Sequence, residues 1–128
     1  MADTEKITIN MSVVDLGQVD LLVSEGFYSS RTDFIRTAIR NQLGQHAESV
    51  KQSLTRKTMA IGAVYYSKKD LEERQAAGVQ LEIRVVGLLT LSDEITPDLA
   101  QAVIKQVEVY GVFQAPKAVK EALADRTR

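Results

Sequence analysis

Apolar and polar positions alternate from Lys6 to Met11, with Ile7, Ile9 and Met11 set against Lys6, Thr8 and Asn10. A period of two over a short β-branched run is the pattern of a strand with one buried and one polar face. No hairpin partner follows, because the next stretch turns helical. A lone strand leaves its backbone N–H and C=O groups unpaired. This one is therefore expected to pair with another chain or with a distant strand of its own. From Ser12 the period changes. Val13, Leu16, Val19, Leu22 and Val23 form the stripe of an amphipathic helix, and Gly26 stands where a C-terminal cap belongs. Gly17 inside that helix costs about 1 kcal/mol relative to Ala, so packing rather than propensity must hold it.

A second helix opens in SSRTDF. Ser30 and Asp33 have the spacing of a capping box, with Ser29 a competing cap. Phe34, Ile35, Ala38, Ile39 and Leu43 fall on one face, and Arg31, Arg36 and Arg40 on the others. Residues 44–58 are polar, with Ala47, Val50 and Leu54 at helical spacing and Lys51, Arg56 and Lys57 making the end basic. They read as a continuation of the second helix or a third short one, a solvated connector with too little apolar content for a core element.

From Met59 a unit repeats. Gly62, Gly87 and Gly111 each lie in a β-like run: AIGAVYY, LEIRVVGLLTL and QVEVYGVFQA. Each run is followed by a helix start. The first has a Ser67/Asp70 box, the second Thr96 as cap with Pro97 at the first helical position, and the third Pro116 in the same role as Pro97. The helices then read KKDLEERQAA, closed by Gly78, PDLAQAVIKQ and PKAVKEALAD. A strand-plus-helix unit too small to bury its own apolar side must stack on its neighbours. Three short parallel strands on one side and three short helices on the other are expected, in a solenoid-like array. An ordinary βαβαβα domain is the alternative. The polar tail ADRTR would cap the stack.

Composition narrows the chemistry. The 128 residues contain no cysteine, which excludes disulfides, thiolate metal sites and cysteine nucleophiles, and fits a cytoplasmic location. No apolar run approaches the ~20 residues of a membrane span. The net charge is −1, so a nucleic-acid face has to be local. His46 is the lone histidine and reads as a surface residue; no metal and no cofactor are expected. Asp70, Glu72, Glu73, Asp93 and Glu94 have no His, Cys or Ser partner at catalytic spacing, and the glycines are too far apart for a phosphate loop, so an enzyme is not expected.

The order KITINM…LLVSEGFYSSRTDFIRTAIRNQL resembles the CopG-like ribbon-helix-helix family over roughly residues 5–43. The resemblance implies two chains pairing their strands antiparallel into a ribbon that enters the DNA major groove. It places Lys6, Thr8 and Asn10 against base edges. Ile7, Ile9, Met11, Phe34, Ile35 and Ile39 would form the dimer core. Ser29, Ser30 and Arg31 would hold a phosphate at the start of the second helix. The nickel-responsive branch needs several histidines and a cysteine, so nickel binding is not carried over.

The expected fold class is α+β, in three parts. Residues 1–45 are a ribbon-helix-helix (β-α-α, intertwined dimer) DNA-binding and dimerisation domain. Residues 46–58 are a polar helical linker, and residues 59–128 a three-unit βα-repeat domain for oligomerisation or partner binding. The function implied is a sequence-specific transcriptional regulator, a repressor, with double-stranded DNA and a second copy of itself as partners. A dimer is obligatory, and a tetramer, a larger array or a protein partner on the C-terminal domain stays open. Two other readings stand beside it: an antitoxin or plasmid-partition DNA-binding protein, and an assembly protein polymerising through the C-terminal repeats.

Overall fold

The computed structural model describes residues 4–128. Lys6–Gln52 forms one compact unit, and Ser53–Arg128 belongs to a second. The first contains α1 (Val13–Ser24), α2 (Arg31–Gln45) and the start of α3 (Ala47–Lys57). Ser12 caps α1, its Oγ accepting from the Val14 and Asp15 N–H groups at 3.2 and 3.4 Å. The helix ends in a Schellman turn: Gly26 takes φ +86°, its N–H reaches the Val23 carbonyl, and the Phe27 N–H reaches that of Leu22. The polar stretch after α2 is a separate helix, with the break at His46.

The second unit follows the order β1 (Ala60–Tyr66), α4 (Lys68–Ala76), β2 (Leu81–Leu91), α5 (Pro97–Val103), β3 (Ile104–Gln114), α6 (Lys117–Ala122) and a 3-10 turn (Ala124–Arg126). The three strands form one parallel sheet in the order β1-β2-β3. Leu71 of α4, Leu99 and Val103 of α5, and Val119 of α6 pack with Val85, Leu89 and Val107 of the sheet into one buried core. Fully burying such side chains stabilises by about 1.5–3 kcal/mol each. The helix starts fall where the cap residues put them. Ser67 and Asp70 make a reciprocal capping box, and the Thr96 hydroxyl accepts from the Leu99 N–H.

The glycine spacing has a geometric meaning. Gly62 pairs with Gly87, and Gly87 with Gly111, so the three lie in one row across the sheet, each at positive φ. A Cβ on Gly87 would collide with the Gly62 carbonyl oxygen, and one on Gly111 with that of Gly87. Only glycine permits this approach of backbone to backbone.

Boundaries of the second and third helices of this unit differ from the expectation, the third also ending early, at Ala122. The helix PDLAQAVIKQ stops at Val103, and Ile104 to Gln106 belong to β3. Ile104 is fully buried and pairs with Leu81, and the Arg126 guanidinium occupies the carbonyls of Gln101 and Ile104 at 2.7 and 2.9 Å, closing the helix end. Sheet pairing of a β-branched residue outweighs helical periodicity here. Pro116 is the N-cap of α6 rather than its first residue, and it makes no side-chain cap bond. The tail runs beside β3: Thr127 bridges Val107, and the Arg128 N–H donates to the Val107 carbonyl at 2.8 Å.

Thr58 is the non-glycine residue at positive φ (+55°) among the described residues, closing α3 as Gly26 closes α1. Its N–H reaches the Thr55 carbonyl and the Met59 N–H that of Leu54. A β-branched residue in this conformation is strained by about 1–2 kcal/mol. Thr58→Gly is expected to raise unfolding stability by about 1 kcal/mol, less than the full strain because glycine also frees the unfolded chain. Denaturant titration of the two chains side by side reads the difference.

Candidate nucleic-acid interface

Lys6–Met11 has no helix and no strand ladder in the single chain, and among the described residues its backbone groups make no hydrogen bond. Lys6, Thr8 and Asn10 are exposed, as that side of the alternation predicts. The apolar side is open too: Ile7 is 73% and Ile9 60% exposed, and only Met11 is half-buried. The segment thus presents an unpaired backbone and an uncovered apolar face together.

The two helices behind it repeat the theme. Of the apolar residues in this unit, Val19 is the one that is fully buried among those described. Phe34 and Ile35 are half-buried, while Ile39, Leu43 and Leu21 are exposed. Phe34 meets the Tyr28 ring edge-on, centroids 5.0 Å apart. Met11, Val19, Leu22 and Phe34 line a groove of about 350 Å³. The six residues expected in a dimer core are therefore a set that one chain leaves largely uncovered.

At the start of α2 the Ser30 Oγ accepts from the Asp33 N–H at 3.0 Å. The reciprocal half of the box goes to the neighbouring serine: Asp33 Oδ2 accepts from both the N–H and the Oγ of Ser29, at 2.9 and 3.2 Å. Both serines thus serve the helix end. The N–H groups of Arg31 and Thr32 stay without a partner among the described residues, at the positive end of the helix dipole. Arg31 has a second engagement that the sequence did not disclose. Its Nε and Nη2 donate to the two carboxylate oxygens of Asp20 on α1, at 2.7 and 2.8 Å. The pairing joins residues eleven apart across a helical turn, beyond any local spacing rule. The hydrogen bond from Arg31, helped by its charge, holds the Asp20 carboxyl below its ordinary value. A lowered carboxylate keeps its contribution above the usual range and loses it only as pH falls through the lowered value. The clamp between α1 and α2 therefore persists at neutral and mildly acidic pH. Arg36 and Arg40 are exposed, and His46 lies 3.3 Å from Gln42. Among the described residues no group of His, Asp or Glu is placed to hold a metal ion.

A bare apolar face, an unpaired extended-type segment and a positive helix start are three parts of one arrangement, and the sequence comparison decides its kinship. The Ribbon-Helix-Helix transcriptional regulator family matches residues 2–120. The chain belongs to that family. The match runs through the C-terminal βα units as well, well past the residues 5–43 that carried the resemblance. Ribbon-helix-helix regulators bind DNA and act as dimers. The chain is also similar to an uncharacterized protein of Methanocaldococcus jannaschii, 41% identical over 49 residues. That stretch is 38% of this chain, and the chain spans half the length of the relative. No solved structure matches. No helix among the described residues is long and apolar enough to cross a membrane.

Proposed function

We propose that this ribbon-helix-helix regulator is a sequence-specific repressor whose two chains pair Lys6–Met11 antiparallel and insert the ribbon into the major groove. Lys6, Thr8 and Asn10 of both chains then meet base edges. Lys donates to guanine acceptors, Asn bonds adenine at two points, and Thr contacts either a polar edge or a thymine methyl. Ser29, Ser30 and the free N–H groups at the start of α2 hold a backbone phosphate, with the Arg31 donors not committed to Asp20 beside it. Ile7, Ile9, Met11, Phe34, Ile35 and Ile39 close over one another from the two chains. The observation that carries this reading is the open apolar side of residues 6–52, with Val19 its one fully buried apolar residue among those described. Such a unit cannot offset its own conformational entropy.

The C-terminal units, read as stacked βα repeats, are assigned to contacts between copies. All-parallel sheets are normally covered on both faces. Here Ile61, Ala63, Val86, Leu88 and Val112 line an open groove of about 580 Å³ beside the glycine row. An open apolar sheet face suits a second sheet laid against it. Dimers of the N-terminal unit would hold two such sheets at high effective concentration.

The test begins by selecting bound fragments from random DNA to obtain the operator and its half-site spacing. Lys6→Ala and Asn10→Ala are then expected to weaken operator binding by about 5–150-fold each, the 1–3 kcal/mol of a base contact. The dimer and binding to unrelated DNA should be kept. If both variants bind operator like the parent, the ribbon does not read the bases.

A further inference from the structure

We infer that the C-terminal unit carries a binding site for a phosphate-bearing ligand in the basic cleft between the end of α3 and the first halves of β2 and β3. The cleft has a volume of about 480 Å³ and is lined by Arg56, Lys57, Arg84 and Arg128, with Glu108 as its one side-chain carboxylate. Thr58 and Tyr110 add hydroxyls. That volume lies within the roughly 300–1,000 Å³ of small-molecule sites.

Its charges do not balance. Glu108 is shared with Lys57, whose Nζ lies 3.5 Å from Oε2, 3.1 Å from the Tyr110 hydroxyl and 5.2 Å over the Tyr110 ring. Arg84 reaches only the Lys57 carbonyl, at 3.5 Å. Arg56 and Arg128 have no side-chain partner among the described residues. Three guanidinium groups therefore line one cleft without a side-chain carboxylate of their own, in a chain whose net charge is −1. The C-terminal end of α3 contributes only about half a negative charge. It cannot neutralise them.

Guanidinium forks match the paired oxygens of phosphate, and the cleft's donors outnumber its acceptors. A ligand with several phosphate oxygens fits this surplus, and a neutral or apolar one does not. Phosphates reach such a site from two sources: a free phosphorylated metabolite, acting as an effector of the regulator, or the backbone of DNA. The inference does not depend on the ribbon reading the operator, because the site lies wholly within the second unit.

The experiment titrates the full chain, without DNA, with sodium pyrophosphate at fixed ionic strength, using sodium chloride as control and following heat and melting temperature. One saturable site per chain is expected. The double variant Arg56→Gln/Arg128→Gln should weaken it by at least about tenfold, the loss of charge-assisted bonds. The unliganded variant should melt no lower than the parent, because like-charge repulsion is relieved; a merely structural role predicts the opposite. A parallel arm titrates a non-operator duplex. If pyrophosphate does not saturate but the double variant loses duplex affinity, with a salt slope shallower by about two, the phosphate is that of the DNA backbone. If the double variant changes neither titration, or melts lower than the parent, the site does not exist.

Discussion

Gly87→Ala is expected to destabilise the C-terminal unit by more than about 3 kcal/mol, enough to empty a marginally stable fold. Gly87 sits at the centre of the row, on the middle strand, at φ +134°. Two penalties add there. The backbone conformation costs an alanine roughly 1–3 kcal/mol by itself. The new methyl then runs into the Gly62 carbonyl, a backbone atom held in the β1–β2 ladder that cannot turn aside as a side chain would. Gly62 separates the two effects. It has a similar φ, +125°, but nothing lies within 4 Å of the position a Cβ would take. Gly62→Ala should therefore show the conformational cost alone and fall clearly short of Gly87→Ala. Gly111→Ala, which collides with the Gly87 carbonyl, should behave like Gly87→Ala. Denaturant melts of the three variants, with hydrogen exchange on β1 and β2, give the ranking. Equal losses at Gly62 and Gly87 would mean that backbone conformation, and not the close approach of strands, requires the glycines.

The recurrence of a glycine every 24 or 25 residues in β-like runs is legible in the sequence, but that the three share one row follows only from the strand register. Helix starts are legible as well. Ser12, Ser30, Ser67 and Thr96 act within three residues of themselves, so their chemistry is local and visible in sequence. What escaped depends on packing. Ile104 fits the helical period of the residues before it, yet its place opposite Leu81 makes it strand. The Arg31–Asp20 pair escaped because Asp20 lies on the preceding helix. The basic cleft draws on residues 56–58, 84, 108–110 and 128, four places that only the sheet brings together. The N-terminal site presents the reverse case. Its alternation is legible in six residues, and the single chain leaves both sets of side chains open; a second copy covering the apolar set is the proposal.

The proposed pairing with a second copy makes Ile9 the most informative position in the first unit. In one chain it is an exposed residue, and a surface substitution of that kind usually changes stability by no more than about 0.5 kcal/mol. In a paired ribbon the two-fold axis buries Ile9 of both chains against the helices, and a carboxylate there would be desolvated twice with no counter-ion. Ile9→Asp is therefore expected to weaken dimerisation by more than about 100-fold, about 2.7 kcal/mol, and to abolish operator binding. Thr8→Asp is its control. Aspartate at that position stays in water, so the dimer should survive, but the added charge faces the phosphates and DNA affinity should fall steeply. A dilution series by sedimentation reads dimerisation, and a mobility shift reads binding. Contacts between C-terminal sheets do not blur the result: were they to hold the chains together, Ile9→Asp would still lose the operator because the ribbon could not form. If Ile9→Asp dimerises and binds like the parent, residues 6–11 never leave water, and the apolar side of their alternation has another use.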